Sequence, residues 1–252
     1  MHYVRTGPRG GDPVILLHPV GLDLTYWGAQ VEALCDDHDV IACDLPGHGR
    51  TPGSPEDWTL DNAASFIPML LESVGAEGAH VVGLSVGGMI AQATAIMRPD
   101  VVRSLVLIDT AASFTDDARD GMRKRALAAR DEGMAAVLQS TIERWFTSNT
   151  ISRRPDLVDR VERTLLADDP CIHGALWDMI RRLDLVSQLH RIACRTLILV
   201  GEHDPSSPVT AACELHEHIV DSGLHIIEDA AHLAPLEQPL AVNTYLRTFL
   251  KG

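Results

Sequence analysis

Gly83-Leu84-Ser85-Val86-Gly87 sets a serine between two glycines at the end of an apolar run, His80 to Leu84. This G-x-S-x-G spacing is that of a sharp strand-to-helix turn that exposes a nucleophile. The serine at such a turn sits in a strained backbone conformation. That strain is tolerable only where the residues two before and two after lack bulky side chains, hence Gly83 and Gly87. Val86 to Ala93 then reads as a small-residue helix able to pack closely on a sheet, with its N-terminal N–H groups aimed at charge developing beside Ser85. A bare motif also fits a simple glycine-rich connector; the flanking strand and helix favour the catalytic reading.

A serine hydroxyl is a poor nucleophile at neutral pH and needs a base, oriented in turn by an acid. Gly201-Glu202-His203-Asp204-Pro205 follows an apolar run from Thr196, and Ala230-Ala231-His232-Leu233 follows the run Leu224 to Glu228. Asp204 and His232 are therefore expected in loops at the same sheet edge as Ser85, with His232 as base and Asp204 as its orienting acid. Asp109, ending another apolar run, is a competing candidate for the acid. His203 reads as a local hydrogen-bonding residue. His216 and His218, two apart on a helix, point to different faces and make no metal pair, so zinc is not implied.

Acyl transfer also needs two backbone donors for the developing oxyanion. One is expected from Val86, just after the serine. The other is expected from the loop His18-Pro19-Val20-Gly21-Leu22-Asp23, where Val20 can donate and Pro19, lacking an N–H, cannot. Asp44-Leu45-Pro46-Gly47-His48-Gly49-Arg50 reads as a structural crossover with no catalytic step.

The elements that must hold these residues are short apolar runs: Val14 to His18, Val40 to Asp44, His80 to Leu84, Leu105 to Asp109, Thr196 to Gly201 and Leu224 to Glu228. Helix-length segments lie between them, notably Thr59 to Val74, Val86 to Met97, Pro208 to Val220 and Gln238 to Leu250. Near-continuous apolar strands alternating with helices predict an α/β fold, a mostly parallel sheet covered on both faces, with its ligand site at the carboxyl edge. The alternation stops after Asp109. Segments Asp116 to Glu132, Met134 to Phe146, Asp156 to Leu166 and Cys171 to Arg182, broken by Gly133, Pro155 and Pro170, read as consecutive helices. The predicted organisation is a core of residues 1–113 and 190–252, interrupted by a helical cap of residues 114–189.

Composition narrows the partners. A net charge of −14 repels phosphate backbones and anionic membranes at long range, so neither nucleic acid nor a membrane is an expected partner. The N-terminal residues Met1 to Gly7 lack a signal-peptide pattern, and no apolar run is long enough to span a bilayer. Five cysteines without C-x-x-C spacing fit a reducing compartment, and a soluble cytoplasmic protein is expected. A homo-oligomer is neither required nor excluded.

The motifs H-P-V-G at His18, D-L-P-G-H-G-R at Asp44, G-L-S-V-G-G at Gly83, G-E-H-D-P at Gly201 and A-A-H-L at Ala230 resemble the α/β-hydrolase superfamily over nearly the whole chain. The order Ser85, Asp204, His232 is the one that fold would use. Within it, Gly133 to Ala136, Glu143 to Thr147, Arg182 to Leu185 and the Asp204 loop are similar to the 3-oxoadipate enol-lactonase branch. That branch opens a small carboxylated lactone in aromatic degradation, without a cofactor. The resemblance implies a serine hydrolase of small-molecule esters, most specifically a lactonase, acting through an acyl-enzyme on Ser85. It also singles out Arg144-Trp145-Phe146. Arg144 is the candidate to bind a substrate carboxylate and Trp145 to pack over the ring; the alternative is a surface ion pair and a cap anchor. Pro19 stands where the family usually has glycine, Val86 where it often has methionine, and the family's first strand is missing or shortened. The rival readings are a carbon–carbon bond hydrolase of a ring-cleavage product and a non-catalytic ligand-binding protein on this fold.

Overall fold

The computed structural model describes residues 1–251. Seven strands form one sheet: β1 (Tyr3–Thr6), β2 (Val14–Leu17), β3 (Val40–Cys43), β4 (Ala79–Leu84), β5 (Val102–Ile108), β6 (Thr196–Gly201) and β7 (Ser222–Ile227). Their spatial order is β1-β3-β2-β4-β5-β6-β7. Only the edge pair β1–β3 is antiparallel; the other pairings are parallel. Every residue of β2, β3 and β6 is buried, as expected where helices cover both faces.

Flanking helices are α1 (Gly28–Leu34), α2 (Leu60–Val74) and α3 (Val86–Met97). The helix α3 packs on β4 and β5 with Val86 to Ile96 all buried. Glycine makes that approach possible: a Cβ on Gly87 would lie 2.3 Å from the Leu17 carbonyl oxygen, and one on Gly88 would lie 2.8 Å from the Thr110 side chain.

Five helices separate β5 from β6: α4 (Asp116–Glu132), α5 (Ala135–Trp145), α6 (Ser148–Arg153), α7 (Pro155–Leu166) and α8 (Pro170–Ile180). Thr115 caps α4 by accepting the Ala118 N–H, and Gly133, at φ 84°, ends it. Pro155 and Pro170, expected as breaks, are the first residues of α7 and α8, where a missing N–H costs nothing. This block leans on the loops at the carboxyl edge of the sheet. Ile172 fills the space a side chain on Gly47 would need, and Leu165 and His173 do the same at Gly21. The chain closes with α9 (Val209–His218), the one-turn α10 (Ala234–Glu237) and α11 (Pro239–Leu250). Among the described residues, no helix is long and apolar enough to cross a membrane.

Candidate active site

The parallel register brings the ends of the central strands level. Gly83 pairs with Leu17 on one side and Leu107 on the other, Ile108 pairs with Leu199, and Gly201 pairs with Ile227. Residues just beyond each strand therefore meet at one edge, and Ser85, Asp204 and His232 are three of them.

Ser85 has φ 53° and ψ −118°, the strained turn the motif predicts. Its N–H donates to the Ile108 carbonyl (2.9 Å), and its carbonyl receives the Met89 N–H (3.0 Å) and the Thr110 hydroxyl (2.7 Å). With its backbone held on three sides, the side chain is left to project from the turn. A Cβ on Gly83 would stand 2.3 Å from the Gly87 carbonyl oxygen, so the two motif glycines lie against each other.

His232 Nδ1 lies 2.8 Å from Asp204 Oδ2 and His232 Nε2 lies 3.0 Å from Ser85 Oγ. A carboxylate can only accept, so Nδ1 carries the proton, and Nε2 is free to accept from the serine hydroxyl. The other Asp204 oxygen, Oδ1, receives the N–H groups of Ser206 (2.7 Å) and Ser207 (3.2 Å), which fixes the carboxylate plane. All three side chains are enclosed, Ser85 being 6% exposed and His232 3%. Such enclosure strengthens the charge–charge interactions that a developing imidazolium would make.

Asp109 stands elsewhere. Its φ is 46°, and its carboxylate makes no bond to the imidazole, which has Asp204 as its partner. Oδ1 receives the Gly201 N–H (2.7 Å) and Oδ2 the Ala234 N–H (3.3 Å), tying β5 to β6 and to the loop carrying His232. Burial, and secondarily the neighbouring Asp204 charge, push its pKa well above the usual carboxylate range.

The N–H groups of Val20 and Val86 have no protein acceptor among the described residues. Val86 opens α3, where the first amides lack intrahelical partners, and Val20 precedes Gly21, whose φ of 70° turns the loop. Beneath Val20 lies a brace that sequence reasoning did not identify. His18 Nδ1 donates to the Pro19 carbonyl (2.8 Å), so its Nε2 can receive the Leu45 N–H (2.9 Å). Burial, then the neighbouring His48, lowers its pKa to about 3, leaving it neutral. The Asp44 segment is a structural crossover: Asp44 receives the N–H groups of Leu24 and Arg50, both at 2.8 Å.

Arg144 lies on the last turn of α5, half-buried, with Nη2 donating to Thr141 Oγ1 (3.1 Å). Burial, then the Arg125 charge, lowers its pKa to about 10. Trp145 is 2% exposed, and its carbonyl receives the N–H of Leu233, the neighbour of His232 (3.1 Å). Glu237 adds a second tie that no sequence pattern announced. Its Oε2 receives the Ala231 N–H (2.7 Å), while Oε1 receives the Thr147 N–H (2.9 Å) and hydroxyl (2.8 Å). His203 is exposed beside Glu202, and His216 and His218 bond separately to Ser222 and to the Glu214 carbonyl.

Known proteins resemble the chain over its full length. The 3-oxoadipate enol-lactonase 2 of Acinetobacter baylyi is 27% identical over 251 residues, covering 100% of this chain and 93% of that protein. Among solved structures, the enol-lactonase from Burkholderia xenovorans superposes with a TM-score of 0.94 at 27% identity, covering 100% of this chain and 96% of that one. A thermophilic esterase from Thermogutta terrifontis, solved with malate bound, superposes with a TM-score of 0.91 at 32% identity, covering 99% and 92% of the two chains. Residues 14–244 match the Alpha/beta hydrolase family, and with that match across nearly its whole length the chain belongs to it.

Proposed function

We propose that this protein hydrolyses carboxylic esters, small lactones foremost, through an acyl-enzyme on Ser85. The observation that carries the reading is the continuous path from Ser85 Oγ through His232 to Asp204, 3.0 and 2.8 Å per step. Ser85 attacks the carbonyl carbon while His232 Nε2 takes its proton, and Asp204 stabilises the imidazolium. The tetrahedral oxyanion faces the N–H groups of Val86 and Val20, with the N-terminus of α3 behind it. His232 then returns the proton to the departing oxygen, which in a lactone stays attached to the acyl chain. Water, deprotonated by His232, cleaves the acyl-enzyme and restores Ser85. If the released group is an enol, its tautomerisation to a ketone makes ring opening hard to reverse.

The helices of residues 114–189 act as a cap over this edge of a core formed by residues 1–113 and 190–252. Arg144 binds a substrate carboxylate, and Trp145 lines or anchors its turn. Enol-lactonases among the relatives support a lactone, and malate in the esterase relative supports a small anionic ligand. The test is a hydrolysis screen of small lactones and aryl esters, run with fluorophosphonate labelling on the wild type and Ser85→Ala. Turnover and labelling should both vanish in the variant. Survival of both would overturn the reading.

A further inference from the structure

In this acidic chain the arginines have carboxylates in plenty. Arg5 and Arg9 share Asp39, Arg130 and Arg181 share Asp178, and Arg98, Arg103, Arg123 and Arg154 each hold an aspartate. The half-buried Arg119 is satisfied by backbone carbonyls of Phe114, Arg181 and Leu183. Two other half-buried arginines depart from this pattern. Among the described residues, Arg125 on α4 makes neither an ion pair nor a hydrogen bond, and Arg144 on α5 makes only the single bond to Thr141. The carboxylate nearest in sequence, Glu143, is exposed and accepts from Gln139 Nε2 instead.

Both guanidinium groups are nonetheless fixed. The Arg125 guanidinium carbon stands 4.7 Å from the centroid of the Trp177 ring. That ring is itself locked, its Nε1 donating to His173 Nε2 (2.9 Å) while His173 Nδ1 donates to Asp168 (2.9 Å). The ring face holds the guanidinium through its π electrons, while the N–H donors of Arg125 have no protein acceptor among the described residues. Thr141 holds one arm of Arg144 and leaves the others unused. The helices α4 and α5 pack against each other, and burial lowers the pKa of both arginines, with Arg125 adding to the effect on Arg144. Two half-buried like charges on packed helices, neither paired with a carboxylate among the described residues, favour an anion that joins them. The turn bearing Arg144 runs into Trp145, whose carbonyl is bonded to the residue after His232.

Resting on the ester-hydrolase reading above, we propose that Arg125 is a second specificity residue. It and Arg144 reach one substrate carboxylate from two helices, so the favoured substrate is an ester or lactone whose acyl part ends in a carboxylate. The single contact of a lone Arg144 becomes a two-armed clamp, and the tryptophan-backed Arg125 supplies its preformed half.

Mono-(4-nitrophenyl) glutarate and neutral 4-nitrophenyl pentanoate have acyl chains of equal carbon number and differ in terminal charge. The wild type should prefer the glutarate. Arg125→Gln and Arg144→Gln should each lower kcat/KM on the glutarate by about ten- to a hundredfold, mainly through KM, and change the pentanoate by less than about threefold. The double variant should lose less than the product of the two single losses, because either change already opens the clamp. Free glutarate should inhibit pentanoate hydrolysis by the wild type competitively, and its inhibition constant should rise in both single variants. Equal losses on both esters, or no glutarate inhibition of the wild type beyond that of an equal ionic strength of chloride, overturns the clamp and leaves the hydrolase reading standing. Should Arg125→Gln fail to fold, Arg125→Lys, which keeps the charge but loses the two-donor edge, takes its place in the same comparison, and an unchanged glutarate preference there overturns the clamp. No turnover of either ester and no fluorophosphonate labelling refutes both.

Discussion

Replacing Asp204 by asparagine tests the site at the point where its geometry makes the sharpest demand. The substitution conserves shape but turns one acceptor oxygen into a donor NH₂. Asp204 Oδ1 already receives two N–H groups, from Ser206 and Ser207, and Oδ2 receives the third from His232. An asparagine has one oxygen for these two places. If the oxygen stays with the serine amides, the NH₂ faces His232 Nδ1, which must then give up its proton. The proton moves to Nε2, and the base presents a donor to Ser85. In serine proteases the equivalent change costs about 10⁴ in kcat, or about 5.5 kcal/mol. If the amide flips instead, the tautomer is rescued while two N–H groups face an NH₂. Losing two hydrogen bonds at about 1–1.5 kcal/mol each leaves roughly one molecule in a hundred in that state. The structure therefore brackets the loss between about 10² and 10⁴, with KM little changed. The assay is kcat/KM on a neutral aryl ester, with urea unfolding to establish that the variant is folded. Asp109→Asn, which leaves the triad bonds intact, should stay within about tenfold of wild type. A folded Asp204→Asn enzyme retaining more than a tenth of wild-type activity, or a larger loss for Asp109→Asn, would refute the assignment of the acid.

Ser85→Ala should keep the fold and lower turnover by roughly three to six orders of magnitude; stopped assays on an aryl ester, run beside circular dichroism, check both halves. Gly87→Ala pushes a methyl against the Leu17 carbonyl at 2.3 Å and should cost about 2 kcal/mol or more, read as a Tm fall of roughly 4–8 °C. Asp109 carries a raised pKa in the folded protein, so the fold holds a proton that the unfolded chain has released. Its contribution to stability is greatest below the unfolded carboxyl value near 4 and declines as pH rises toward the folded value, the reverse of a salt-bridged aspartate. Urea midpoints from mildly acidic to mildly alkaline pH should show this decline in the wild type and a flatter profile in Asp109→Asn; parallel profiles would contradict it.

Much of the core could be read before any coordinates. The six apolar runs became β2 to β7 within a few residues, and where a strand is buried throughout, as in β2, β3 and β6, that burial is what demands an unbroken apolar sequence. Helices α3 and α4 began and ended at the predicted residues, set by the serine turn on one side and by Thr115 and Gly133 on the other. The one-sided elements were hidden. Helix α1 buries only Gln30 and Leu34, and α6 spans six residues with only Thr150 buried, so neither displays a period. The spatial meeting of Ser85, Asp204 and His232 was legible because each follows a strand of a parallel sheet. The supports of that site, His18, Thr110 and Glu237, were not, since single side-chain-to-backbone bonds across 25 to 90 residues leave no local pattern.

Glu237 and the Trp145 carbonyl together have a mechanical consequence. One carboxylate grips Ala231 with one oxygen and Thr147 with the other, and the Leu233 N–H is held by Trp145. Both residues flanking His232 are thus fastened, by separate bonds, to the end of α5 and the start of α6. Helices leaving their seat must either break these bonds or drag the imidazole off Ser85 as they go. These helices and the imidazole share a hinge pin: as long as the bonds hold, His232 goes where the end of α5 and the start of α6 go.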